Sequence, residues 1–405
     1  MVAVGAGLIA LTAIEDDNVV AVGSASAFYD APNPVPAGPA GTLLRSEPIA
    51  VASAIGAPAG TRARRVLYLS KSSNNGDEPI VVSGTVYVPP GAAPAAGRPV
   101  LAWAHGTSGV ASNCAPSLNS NPTPTMVPAL GAFLRRGWVV AASDYPGLGT
   151  AGPAAYLDGV MEGRAVLDSV RAAQQLPISD AGNKTIIWGH SQGGHAALFA
   201  GEIGASYAPE LKLLGVATAA PAVELARLAA LDAGTIVGQV LGSFLLWSWP
   251  RTQPGLSLEA IAGQGAGKLI NAVAARCLAG DKSLIEELAL AGVEQVSKLI
   301  SVTELLTNPG WARELKENTP PASASGPPLL IAQGTADTII PPQTTYNYFL
   351  RLCAAGRAAN ELRMAGVDHI HAGLAAAPAL IAWATARLAG SPVTSDCVKE
   401  QKAAV

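Results

Sequence analysis

A predominantly parallel α/β sheet is what the sequence predicts, and three observations carry the prediction. Short β-branched runs recur along the chain, stretches of helical period separate the later ones, and a Gly-x-Ser-x-Gly run, Gly189-His190-Ser191-Gln192-Gly193, falls where one of those runs gives way to a helix. The strand runs are residues 66–71, 80–88, 100–104, 138–142, 185–188, 213–218, 329–332 and 361–364. Helical period appears over 126–136, 161–175, 196–202 and 345–352. The first two strands follow each other directly and the rest alternate with helices, which predicts an antiparallel start and then parallel strands covered on both faces.

Two stretches depart from that alternation. Residues 28–64 are rich in Pro, Ala and Gly with little periodicity, and read as an extended arm over the surface. Residues 222–321 read as several helices without a convincing strand, too long a stretch for a loop. They are expected to form a helical cap or lid insertion over the C-terminal edge of the sheet, where ligands bind in open α/β folds. The catalytic domain would then comprise 28–221 and 322–395. Phe244, Leu245, Trp247 and Trp249 lie in the insertion, either as its own core or as walls of an apolar substrate pocket. Residues 1–27 read as a signal peptide or N-terminal extension: the first 13 are apolar, a basic n-region is missing, and Gly23-Ser24-Ala25-Ser26-Ala27 resembles a cleavage site.

Composition narrows the function. A chain of 405 residues with 49% hydrophobic content has the length for one catalytic domain with a sizeable insertion. Charged residues are 14% of the chain and the net charge is -3, so no basic field gathers nucleic acid or an anionic membrane, and a neutral or apolar substrate fits better. No apolar run reaches the roughly 18 to 20 residues of a membrane-spanning helix, so the chain is expected to be soluble. Cys114, Cys277, Cys353 and Cys397 permit two disulfides in three connectivities, with buried free thiols as the alternative.

The Gly-x-Ser-x-Gly run has the context of a nucleophile elbow, in which the serine sits on a strained strand-to-helix turn between small residues. A serine hydroxyl needs a base, and imidazole is the usual one. Of five histidines, His105 ends a strand in Trp103-Ala104-His105-Gly106-Thr107 and reads as structural, while His190 and His195 flank the serine and point elsewhere. His369 is the expected base, with His371 next to it as the alternative; both follow the last strand in Gly366-Val367-Asp368-His369-Ile370-His371. The acid that orients the imidazole is expected at Asp337, in the loop after the run 329–332. Asp368 reads as a loop cap and Asp144 as a turn former. The order Ser191, Asp337, His369 is that of α/β-hydrolases. An oxyanion site would take the backbone N–H of Gln192 and one from Gly106 or Thr107. Gly147-Leu148-Gly149-Thr150-Ala151-Gly152 fits a dinucleotide fingerprint but lacks its strand context and reads as a plain loop. No cofactor or metal is implied.

Several short elements together resemble the secretory lipase family: Phe28-Tyr29 with Pro32, Pro34 and Pro36, Gly41-Thr42-Leu43-Leu44-Arg45-Ser46, His105-Gly106-Thr107, Cys114-Ala115-Pro116-Ser117, Asp144-Tyr145-Pro146-Gly147 and the elbow. The resemblance runs from about residue 28 to 390 and implies a triad of Ser191, Asp337 and His369 beneath a lidded acyl-binding channel. It also implies disulfides Cys114–Cys277 and Cys353–Cys397, and export. The chain departs from the family at His105-Gly106-Thr107, where a well-known member has an acidic oxyanion residue. The function expected is a serine carboxylic ester hydrolase, lipase or carboxylesterase, acting on neutral, lipid-like esters, with transient lipid-interface contact through the cap. Acyl transfer through the same acyl-enzyme is the alternative, and amide hydrolysis a weaker one.

Overall fold

The computed structural model describes residues 27–51, 55–74, 76–119, 126–278 and 296–397. Residues 1–26, on which the expected leader falls, lie outside the described residues. The strands are β1 Leu43–Ile49, β2 Arg62–Lys71, β3 Pro79–Val88, β4 Arg98–Ala104, β5 Val139–Ser143, β6 Ala181–His190, β7 Lys212–Ala219, β8 Leu329–Gly334 and β9 Ala359–Met364. They join in one nine-stranded sheet of order β1-β2-β3-β5-β4-β6-β7-β8-β9. β1 to β3 pair antiparallel, as does β3 with β5, and every neighbour from β5 to β9 is parallel.

The expected arm over 28–64 is corrected by β1, an edge strand, and by the start of β2. Leu-Leu-Arg-Ser-Glu-Pro-Ile hides β1 in the sequence because an edge strand buries neither face fully and tolerates Pro48. β4 is the point where strand order reverses, with β5 on one side and β6 on the other. A crevice therefore opens beyond its C-terminal end. Residues 100–104 of β4 are all buried, Ala102 and Ala104 in one core cluster, Leu101 and Trp103 in the other.

Helices α1 Leu130–Arg135 and, after β9, a long C-terminal helix at Ala372–Leu388 cover the second of those faces, while α2 Gly159–Gln175 and α3 Gln192–Tyr207 cover the first. The helical pattern over 126–136 becomes helix only from Leu130, because Ala129 adopts a left-handed conformation with φ 67°. Between β7 and β8 the described residues form α4 Leu225–Asp232, α5 Ile236–Thr252, α6 Ala266–Ala274, α7 Val296–Leu299, α8 Val302–Thr307 and α9 Pro309–Glu317. Phe244 and Trp249 of α5 are fully buried, and Trp249 stacks on Trp311 of α9 at 6.0 Å. These aromatics are thus the core of the helical segment. α10 Pro342–Ala354 joins β8 to β9, which makes the C-terminal helix α11.

Both cysteine pairs are joined. Cys114–Cys277 fastens the loop after β4 to the end of α6, and Cys353–Cys397 fastens the C-terminal tail to α10. A separation of 44 residues for the second corresponds to about 4 kcal/mol of chain entropy removed from the unfolded state. Cys397→Ser is expected to lower stability by about 2 to 4 kcal/mol. A denaturant titration that found the midpoint unmoved would contradict this.

Candidate active site

β6 ends at His190 and α3 begins at Gln192, which leaves Ser191 alone in the turn with φ 57° and ψ −118°. Such backbone costs a residue with a Cβ about 1 to 3 kcal/mol, so the surroundings must impose it. They do so partly through the Ser191 N–H, which donates to the Ala219 carbonyl at 3.0 Å on β7. They do so also through contact between backbones: a Cβ at Gly189 would lie 1.9 Å from the Gly193 carbonyl oxygen, and one at Gly193 1.9 Å from that of Ala104. Both glycines are small because main chain crosses main chain there.

The turn presents the Ser191 Oγ 2.9 Å from His369 Nε2, and His369 Nδ1 lies 2.8 Å from Asp337 Oδ2. The carboxylate can only accept, so the neutral ring carries its proton on Nδ1 and turns a lone pair on Nε2 toward the serine hydroxyl. His369 sits in the turn between β9 and α11, and its carbonyl accepts from His190 Nε2 at 2.9 Å. Asp337 follows β8; its Oδ1 accepts the N–H groups of Ile339 and Ile340 at 2.9 and 2.8 Å, and its Oδ2 accepts Gln333 Nε2 at 3.0 Å. Burial by itself would raise the Asp337 carboxyl. The His369 hydrogen bond and charge, with the two amides, outweigh that and hold it below the ordinary carboxylate range.

His190 is pushed down to about 3, first by burial and then by the charge of His369. The unfolded chain takes up that proton below its ordinary value of 6.5 while the folded one stays neutral, so this contribution to stability is complete above 6.5 and drains away as pH falls toward 3. The slope approaches about 1.4 kcal/mol per pH unit inside the window. His190→Gln is expected to lose stability less steeply than the parent between pH 6 and 4. Equal slopes in thermal unfolding would refute the assignment.

The other histidines do not reach Ser191. His371 is exposed and bonded to Asp368, which also accepts its N–H and so caps the turn as expected. His105 is buried with both ring nitrogens facing carbonyl oxygens, of Gly106 at 2.7 Å and Asp144 at 3.3 Å, and stacks on Tyr145. Asp144 is more than a turn former. It accepts from Ser83 Oγ at 2.6 Å, from the Ser117 N–H at 2.9 Å and from the Ser117 hydroxyl, which Tyr29 in turn meets at 2.7 Å. Phe28-Tyr29, Cys114-Ala115-Pro116-Ser117 and Asp144-Tyr145-Pro146-Gly147 thus converge on one buried hub that fixes the loops after β4 and β5.

A cavity of about 130 Å³ opens above Ser191, lined from the sheet side by Thr107, Tyr156 and Gln192 and from the helical segment by Leu225, Leu241 and Leu245. Thr107 faces it, its hydroxyl 3.2 Å from that of Tyr156. Gly106 lies behind, where a Cβ would be 3.2 Å from His190 Nδ1. Gln192 is held by Glu162, a fully buried carboxyl on α2 that accepts from Gln192 Nε2 at 2.5 Å and from the Leu157 N–H at 3.0 Å. Its other oxygen faces His195 Nδ1 at 3.4 Å, while His195 Nε2 donates to the Asn318 carbonyl at 2.7 Å. Burial raises the Glu162 carboxyl, with the His195 and Gln192 contacts acting against it. Glu162→Ala is expected to lower kcat about tenfold with little change in KM, since Gln192 and His195 lose a buried partner. Glu162→Gln keeps an acceptor for Gln192 and offers a donor to His195, and should recover most of the loss.

The Secretory lipase family model matches residues 115–396. The chain belongs to the secretory lipase family. This secretory lipase is 25% identical over 373 residues to a protein of Mycobacterium tuberculosis described as a probable inactive lipase, covering 89% of this chain and 81% of that one. It is 27% identical over 381 residues to Lipase A of Arthroderma benhamiae, covering 88% and 75%. Its fold matches that of Candida antarctica lipase A with a TM-score of 0.73 at 23% identity, over 91% of this chain and 87% of that one. The chain has the α/β-hydrolase fold and, by its family, is a carboxylic ester hydrolase, as the sequence led us to expect.

Glu162, which holds Gln192, and Tyr156, Asp232 and Gln239, which line the cavity, were not legible in the sequence. Glu162 carried one signal, a carboxylate at helical spacing from Ala165 and Val166 on a buried face of α2. Asp232 and Gln239 carried none, because nothing local says which helical residues of an insertion turn toward a crevice.

Proposed function

We propose that the secretory lipase cleaves neutral esters through an acyl-enzyme on Ser191. The observation that carries this reading is the unbroken hydrogen-bond chain from Ser191 Oγ through His369 to Asp337 at the floor of an apolar cavity. His369 Nε2 takes the hydroxyl proton as Oγ bonds to the ester carbonyl carbon, and Asp337 stabilises the imidazolium that results. The carbonyl oxygen becomes an oxyanion held by the backbone N–H groups of Gln192, at the N-terminus of α3, and Thr107. Collapse expels the alcohol, which receives the proton from His369; water then enters and gives a proton to His369 as its oxygen bonds to the acyl carbon, and the acid leaves as Ser191 Oγ takes that proton back from His369.

Residues 222–321 act in this scheme as a cap, with 28–221 and 322–395 as the catalytic domain, since the helices of the segment form the far wall of the cavity. At about 130 Å³ that cavity is smaller than the ~300 to 1,000 Å³ of typical ligand sites, which favours short or medium chains unless the cap opens on a lipid surface. Two disulfides and a family of secreted enzymes support export. The test is covalent: a fluorophosphonate should label one residue, Ser191 by peptide mass, and p-nitrophenyl esters should show a burst of one equivalent before the steady state. Labelling elsewhere, or no labelling, overturns the reading.

A further inference from the structure

The cavity above Ser191 is lined mainly by aliphatic side chains, yet two polar residues of the helical segment interrupt it next to each other. Asp232 ends α4 and Gln239 lies in the first turn of α5, and both line the cavity that Ser191 lines. They are adjacent in space because α5 presses on the end of α4: a Cβ at Gly238 would lie 2.5 Å from the Asp232 Cβ, so only glycine fits between them.

Gln239 is 7% exposed and its side-chain oxygen has no hydrogen-bond partner. No described residue bonds to the Asp232 carboxylate either. Buried acceptors are ordinarily paired, and leaving one unpaired destabilises the fold. The unpaired Gln239 oxygen, with the half-buried Asp232 carboxylate on the same wall of the cavity, points to a donor that arrives with the substrate. Burial, and then the charge of Asp337, raise the Asp232 carboxyl to about 6, which leaves it ionised at neutral pH and places it within electrostatic reach of the catalytic acid.

Resting on the reading of Ser191 as the nucleophile, we propose that Asp232 and Gln239 form a polar subsite selecting esters whose cavity-filling chain carries a hydrogen-bond donor, a hydroxyl or an ammonium. A plain alkyl chain would strip water from the Asp232 carboxylate and return nothing, whereas an ammonium can donate to both Asp232 and Gln239 Oε1, and a hydroxyl to one of them. The same carboxylate repels a freed fatty acid, which favours release of product.

The test compares p-nitrophenyl alkanoates from butanoate to decanoate with their ω-hydroxy and ω-amino counterparts, by the ratio of kcat/KM at each length. At the length that spans from Ser191 to Asp232, the ω-hydroxy ester is expected to exceed its plain partner about tenfold, the size of one hydrogen bond to a charged group. Asp232→Asn should abolish any advantage of the ammonium ester and reduce that of the hydroxyl ester; Gln239→Leu should reduce the hydroxyl advantage. If plain esters are favoured at every length and neither substitution moves the ratio, the subsite is refuted. Calorimetric binding of hexane-1,6-diol against 1,6-dimethoxyhexane, which has no donor, to the Ser191→Ala protein reads the same preference without turnover, so a preference in binding with no hydrolysis by the parent would sink the hydrolase reading and leave the subsite standing.

Discussion

Ser191→Ala is expected to lower kcat on p-nitrophenyl esters by about six orders of magnitude, the loss seen when the nucleophile of a serine hydrolase acting as a unit with its base is removed. The residue sits at the cavity floor with its hydroxyl on His369 Nε2, and among the described residues no other hydroxyl takes that hydrogen bond. Alanine accepts the same strained backbone as serine, so circular dichroism and the unfolding midpoint should barely change. Residual turnover would come from the oxyanion donors and the cavity alone. Activity within tenfold of the parent would show that Ser191 is not the nucleophile.

Asp337→Asn should lower kcat by about four orders of magnitude. The asparagine oxygen could still accept the Ile339 and Ile340 amides, so the loop should hold, but its amide nitrogen would face His369 Nδ1 as a donor. Nδ1 would then lose its proton to Nε2, and the nitrogen that must accept from Ser191 would be a donor itself. Asp368 does not substitute, because it is engaged with His371 on the exposed side of the turn. The measurement is single-turnover acylation, where the step that needs the base is isolated. A loss below tenfold would remove Asp337 from the chemistry.

The parts of the fold legible in the sequence were those whose environment is nearly uniform. β4 and β6 pass through the centre of the sheet, so their residues are apolar on both faces and read as unbroken runs, and the elbow is marked by glycines that backbone contact demands. The loops that carry Asp337 and His369 were legible, since strand order fixes which loops end beside Ser191. β1 was missed because its burial has no period of two, and the first residues of β6, Ala181-Gly182-Asn183-Lys184, because the strand starts outside the core. The role of Asp144 was underestimated for another reason. Its partners Ser83, Ser117 and, through Ser117, Tyr29 come from three separate segments, and only the folded chain brings them to one point.

The left-handed turn at Ser191 also sets folding stability against turnover. Glycine occupies that backbone region freely, so at position 191 it would relieve about 1 kcal/mol or more that the serine keeps stored in the native state. Serine at this position therefore gives up folding stability that glycine would keep, in exchange for a hydroxyl held against His369 Nε2.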